Sequence, residues 1–296
     1  MISVRDLRKS YGQLVAVDGV SFEIHPRETF GLLGPNGAGK TTTLHLLIGA
    51  LQPDSGEIHI DGNSDPTRPE VRRSIGIAPQ DLAAYEDFTA AENLRFFARL
   101  YGLHGRDLRD RVHASLKQAG LIDRRNHLVK TFSGGMKRRL HLACALVHEP
   151  QVLFLDEPTV GIDPQNRNRL LEDIESLKRQ GRTVLLTTHY MEEAERLCDR
   201  VAIMDHGRIL AIDTVAHIIE RFGGGSVVQA HLAGPPADAA ALPGKLDGLT
   251  LTCETDQPFE TVKQLATGGL NIRDLLVERP SLETVFLHLT GRSLRD

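Results

Sequence analysis

The chain has 296 residues, 41% hydrophobic and 25% charged, enough for one large core and a smaller satellite. A net charge of −4 offers no broad electrostatic attraction to nucleic acid or an anionic membrane surface. Cys144, Cys198 and Cys253 are scattered, with no CxxC or metal-ligand spacing, which argues against a disulfide framework or zinc site and for a reducing cytosol.

Charges in the opening MISVRDLRKS occupy the place of a signal peptide's apolar stretch. The longest apolar runs, such as LHLLIGAL at 44–51, fall short of a membrane span, so work at a membrane is expected to pass through a partner. Residues 2–7, 14–24 and 56–61 are β-rich runs broken by turn residues such as Gly12, Gly19 and Gly62, which predicts an antiparallel portion. Between them, FGLLG at 30–34 predicts a strand, followed by a glycine-rich loop and the helix TTTLHLLIGAL.

From about 85 to 150 the pattern is helical. Thr89 and Glu92 form a capping box ahead of Leu94, Phe97 and Leu100. A second helix is predicted over 107–119 and a third after Ser133, Gly134 and Gly135. QVLFLDEP at 151–158 reads as a buried strand ending in two acids. Asp163 followed by Pro164 predicts a helix to about 179. RTVLLTTH at 182–189 is another buried strand, then a helix at 190–197 and a hairpin about His206 and Gly207. The glycines at 223–225 read as a linker between a domain at 1–222 and a small α+β domain at 226–296, whose stretch 233–244 reads as a loop.

The loop GPNGAGKT at 34–41 carries the clearest chemistry. Gly34, Gly37 and Gly39 permit tight turns that aim backbone N–H groups at anionic oxygens, with Pro35, Asn36, Ala38 and Thr42 completing the stretch. The helix behind it adds a positive end. Lys40 supplies charge for the β- and γ-phosphates of ATP, and the Thr41 hydroxyl suits Mg²⁺. Acids at the end of a parallel strand sit near such a loop, which places Asp156 to hold the metal through its water shell and Glu157 to polarise a water. FSGGM at 132–136 admits two readings: a serine cap on a helix, or an anion site on the same positive helix end.

The succession GPNGAGKT, Gln80, FSGGM, VLFLDE, VGIDP and His189 resembles the nucleotide-binding subunit of an ABC transporter along residues 1–220. The resemblance implies an α/β P-loop NTPase core with an antiparallel β subdomain and a helical subdomain, ahead of the small C-terminal α+β domain read from its own pattern. It implies that Tyr11 stacks on adenine, and that Gln80 touches Mg²⁺ and the attacking water. It further implies that His189 holds the γ-phosphate and orients Glu157. Ser133, Gly135 and Asp163 would act across a head-to-tail dimer, homodimeric or with a related subunit, on ATP held by the other chain. The transmembrane permease would dock near Gln80 and the segment YEDF at 85–88, leaving this chain peripheral on the cytoplasmic face of the membrane.

Phe132 and Met136 stand where leucine and glutamine are commoner, and Val160, Gly161 and Ile162 replace the more frequent serine-alanine-leucine type. Both departures, and the tail PSLETVFLHLTGRSLRD, resemble the exporter branch typified by daunorubicin/doxorubicin-resistance ATPases. The resemblance thus points to efflux of a drug, antibiotic or other lipophilic compound. Rival readings are an importer ATPase, a nucleotide sensor with 226–296 as effector, and a soluble relative acting on DNA ends or ribosomes. A single phosphate loop, no heptads and no basic excess argue against the last, and hence against nucleic acid as a partner.

Overall fold

The computed structural model describes residues 1–236 and 242–291. Two compact units divide the chain at Met1–Val215 and Ala216–Asp296.

Three elements of the first unit, β1 (Ile2–Tyr11), β2 (Leu14–Ile24) and β4 (Ser55–Ile60), form an antiparallel sheet in the order β2-β1-β4. Alternation in β2 sends Val20, Phe22 and Ile24 inward while Ser21 and Glu23 face out, the half-buried pattern of such a sheet. Phe22 stacks on Phe30 of β3 (Thr29–Leu33), with ring centroids 5.3 Å apart, which locks this sheet to the central one.

The central sheet has the order β5-β6-β7-β3-β8-β9. Its other members are β5 (Ile75–Ala78), β6 (Val152–Asp156), β7 (Thr183–Thr188), β8 (Arg200–Asp205) and β9 (Arg208–Thr214). All are parallel except β9, which returns antiparallel on β8. Every residue of β3, β6 and β7 is buried, as expected where helices cover both faces of a parallel sheet. Helix α1 (Lys40–Leu47) follows β3, and the short α2 (Pro69–Ser74) precedes β5. Neither α2 nor β5 was signalled by the sequence, because each is too short to show a period.

Helices α3 (Ala90–Leu100), α4 (Gly105–Gln118) and α5 (Gly134–Leu146) close a second core of Leu94, Leu108, Val112, Leu116, Phe132 and Leu140. The α3 capping box is formed: Glu92 N–H donates to Thr89 Oγ1 at 3.2 Å, and Thr89 N–H to Glu92 Oε2 at 2.8 Å. Helices α6 (Pro164–Arg179) and α7 (Met191–Leu197) flank β7 in sequence. Leu170, Leu171, Ile174 and Leu177 give α6 its buried stripe.

The second unit contains α8 (Val215–Phe222), which opens at the division, and a sheet ordered β11-β12-β10-β13. Its strands are β10 (Ser226–Leu232), β11 (Lys245–Asp247), β12 (Thr250–Thr255) and β13 (Ile272–Glu278), all antiparallel. Helix α9 (Pro258–Thr267) covers it through Leu265, and α10 (Leu282–Thr290) buries Leu282, Val285 and Phe286.

The division corrects the predicted linker at 223–225. Those glycines lie inside the second unit: a β-carbon on Gly223 would strike the Ile219 carbonyl, and His288 Nδ1 lies 2.9 Å from the Phe222 carbonyl oxygen. The loop predicted over 233–244 falls partly outside the described residues, as does the end of the tail.

Candidate functional site

The loop between β3 and α1 wraps the carboxyl end of the central strand, with Gly34, Gly37 and Gly39 all at positive φ. At Gly39 (φ 100°) a β-carbon would collide with the Ala16 carbonyl, and at Gly34 (φ 155°) with that of Met204. The loop is therefore pressed between β2 and β8, and only glycine admits that approach. Lys40 folds back across it, its Nζ donating to the carbonyls of Gly34 at 2.9 Å and Pro35 at 3.0 Å.

Opposite Lys40 stand the acids that end β6. Lys40 Nζ lies 3.2 Å from Glu157 Oε1, and His189 Nδ1 lies 3.1 Å from the other oxygen, Oε2. The Lys40 and Glu157 side chains are only 4% and 7% exposed. A pair so removed from water is costly to form and very costly to break from one side. Glu157 also holds a left-handed backbone (φ 43°), rare for a long side chain and sustained only where the surroundings dictate it.

Asp156 Oδ1 accepts from Thr41 Oγ1 at 3.1 Å and from Thr187 Oγ1 at 2.5 Å. Thr187 in turn accepts the Glu157 N–H at 3.0 Å. Thr187, on β7, thus ties both acids together, and it escaped the sequence reading. β7 lies between β3 and β6, so the acids reach the phosphate loop across an intervening strand. The one available signal was the pair of threonines just before His189.

His189 is held from behind. Its ring lies 4.1 Å from Tyr190, whose face receives the Arg167 guanidinium at 4.3 Å. Arg167 Nε donates to the buried Glu193 at 2.6 Å, and Thr188 Oγ1 donates to the second Glu193 oxygen at 3.1 Å.

The cleft over these groups has a volume of about 390 Å³, in the range of a small-molecule site. Tyr11, Asn36, Gly37, Gly39, Lys40, Thr41, Thr42, Gln80 and Glu157 line it. Tyr11 is 48% exposed at the rim. Leu14, Val15 and Ala16 of β2 also line the cleft. So does His206, which the sequence marked only as the centre of a hairpin and which the β8–β9 turn holds beside the cleft.

Ser133, Gly135 and Asp163 do not line this cleft. Ser133 Oγ caps α5 by accepting the Met136 N–H at 3.3 Å, and Asp163 Oδ1 caps α6 by accepting the Asn166 N–H at 3.1 Å. The two caps adjoin, since a β-carbon on Gly135 would overlap the Asn166 side chain. Both cap residues are exposed, so their oxygens and the adjacent helix ends face solvent. Gly135 therefore has a packing duty within its own chain, which the sequence did not disclose.

A glycine loop, a buried lysine and paired strand-end acids at the edge of a parallel sheet define a P-loop ATPase site. The family model for ABC transporters matches residues 17–160. The linearmycin resistance ATP-binding protein LnrL of Bacillus subtilis (strain 168) is 39% identical over 312 residues, covering 100% of both chains. The Nod factor export ATP-binding protein I of Sinorhizobium fredii is 43% identical, covering 100% of this chain and 87% of that protein. A solved dimeric ATP-binding cassette in a post-hydrolysis state with ADP and Pi superposes with a TM-score of 0.66 at 25% identity, covering 72% of this chain and 98% of that one. The chain belongs to the ABC transporter family, as an ATP-binding subunit that hydrolyses ATP.

Proposed function

We propose that this chain drives efflux of a drug, antibiotic or other lipophilic compound through a separate membrane permease, sitting peripherally on the cytoplasmic face. Glu157, suspended between Lys40 and His189, carries the enzymatic part of that reading. Residues 34–41 hold the phosphates, and Tyr11 and its β2 neighbours receive the base. Lys40 exchanges its loop carbonyls for phosphate oxygens. Glu157 then takes a proton from the attacking water, with His189 holding its carboxylate and Gln80 reaching in from the cleft wall.

Thr41 Oγ1 and Asp156, 3.1 Å apart, form a hard oxygen pair that fits Mg²⁺, which keeps several waters and shares substrate phosphates. Among the described residues no cluster of three His, Cys, Asp or Glu forms a self-sufficient metal cage, in keeping with that division. Bound there, the ion would neutralise phosphate charge.

The second half of each site is contributed by Ser133, Gly135 and Asp163 of another copy or a related subunit. The exposure of Ser133 and Asp163 at two adjoining helix N-termini, with Gly135 packed between them, supports this. Tyr85, Phe88 and Phe96 form an aromatic cluster, Tyr85 lying 5.3 Å from Phe88 and 5.1 Å from Phe96, with Tyr85 and Phe88 largely exposed. That surface is where the permease docks. No helix of the described residues is long and apolar enough to cross a membrane. The outward direction rests on the resistance and export functions named for the two relatives. The second unit, Ala216–Asp296, acts as an accessory domain.

Co-purification with a membrane subunit encoded beside this chain, followed by ATP-dependent transport in vesicles, tests the assignment. Outward flux that ceases in Glu157→Gln is the expected result; inward flux would overturn the exporter reading.

A further inference from the structure

Arg138 lies one turn beyond the start of α5, in the run KRR that follows the serine-glycine-glycine cap, and the residue is only 6% exposed. Its Nη1 donates to the Gln80 carbonyl at 2.7 Å. Its Nη2 reaches the Val160 carbonyl at 3.2 Å and the Glu157 carbonyl at 3.4 Å. These acceptors belong to two separate segments: the loop after β5 and the turn that joins β6 to α6. A guanidinium presents several N–H groups in one rigid plane and can hold three carbonyls at once; an ammonium on a flexible stem cannot fix that geometry.

Burial works against the charge. It pushes the Arg138 pKa down, while the nearby Asp81 carboxylate pulls it up. Packing alone would be served better by an apolar side chain of similar volume. What the arginine adds is control of backbone. Glu157 is gripped at both ends, its N–H by Thr187 and its carbonyl by Arg138, which sustains the left-handed turn that aims its carboxylate at Lys40 and His189. Gln80 is held by its carbonyl alone, leaving its side chain on the cleft wall.

We propose that Arg138 is a positioning residue that couples the placement of α5 to the alignment of Glu157 and Gln80. A shift of α5 moves both carbonyls together, so hydrolysis follows the position of the helical subdomain while nucleotide binding by residues 34–41 does not. The proposal rests on Glu157 as the group that polarises the water.

The test is a set of full-length variants, Arg138→Gln, Arg138→Lys, Glu157→Gln and the double Arg138→Gln/Glu157→Gln, with rates taken per nucleotide-binding site. Arg138→Gln is expected to lower kcat by about 10²-fold, with the KM for ATP and the Kd of a fluorescent ATP analogue within about twofold of wild type. Arg138→Lys, which keeps the buried charge, recovers part of the rate. In the Glu157→Gln background the arginine change adds little, because both act on one step.

A wild-type kcat in Arg138→Gln beside an inactive Glu157→Gln would overturn the coupling and leave the base assignment standing. Full activity in Glu157→Gln would overturn both. A raised KM with unchanged kcat, or losses that multiply in the double variant, would also reject the proposal. If Arg138→Gln fails to fold, Arg138→Lys carries the test alone: a folded, ATP-binding lysine variant at the wild-type rate refutes it.

Discussion

The cleft floor and the face that carries Ser133 and Asp163 use the same kinds of polar side chain under opposite conditions. Around the phosphate loop, Lys40, Asp156 and Glu157 are buried, Lys40 paired with Glu157 and the two acids joined through the Thr187 hydroxyl. On the other face, Ser133 and Asp163 are exposed, and each caps its own helix. Burial makes the first group interdependent, since a buried charge that loses its partner keeps the full desolvation penalty. Exposure leaves the second group individually dispensable for folding and available to a ligand brought by another chain. One set is completed by the fold; on the reading proposed here, the other is completed by assembly.

The largest effect is expected at the cleft floor. Lys40→Ala removes the phosphate charge and strands Glu157, and ATPase activity should fall by at least about 10³-fold in a steady-state assay. Undiminished turnover would show that the buried pair is structural only.

Glu157→Gln sharpens the contrast. Hydrolysis should drop about 10²–10⁴-fold while ATP binding persists. Gel filtration with ATP should then show a stable dimer, and a monomer throughout would argue against completion by a second copy.

His141, beneath Arg138 on α5, tests how far burial extends between the two regions. Burial, assisted by the charge of Arg138, pushes its pKa from the ordinary 6.5 down to about 4. Between those values the unfolded chain binds a proton that the folded chain refuses. Stability is therefore intact above pH 6.5 and lost as pH falls toward 4, by up to about 3 kcal/mol. His141→Gln should flatten the pH dependence of Tm across that window; an unchanged slope would place the loss elsewhere.

The smallest effect belongs to Ser133→Ala. Loss of one exposed cap should cost about 1 kcal/mol and lower Tm by about 2–4 °C. If Ser133 also serves a neighbouring copy, ATPase activity per folded chain should fall while ATP affinity of the isolated chain holds. Activity that follows Tm alone would reduce Ser133 to its cap.

Much of this contrast was legible in the sequence where the determinants are local. Gly39 must be glycine because of its own φ, and Thr89, Ser133 and Asp163 announce helix starts because each bonds a residue three positions on. Buried apolar runs located β3, β6 and β7. Short elements such as α2 and β5 lacked enough residues to show periodicity, and the division near 215 was displaced by a glycine run that turned out to be packed.

The order of motifs by itself determined that the chain is a nucleotide-binding ATPase and singled out the residues assigned to the phosphates, because that chemistry lies in contiguous loops and strand ends. Only the tertiary structure decided how those residues support one another. Inserting β7 between β3 and β6 makes Thr187 the link between the acids, and packing α5 against two separate loops brings Arg138 to the Glu157 carbonyl. Strand order and helix packing bring together residues far apart in the chain, and such contacts leave no local pattern to read.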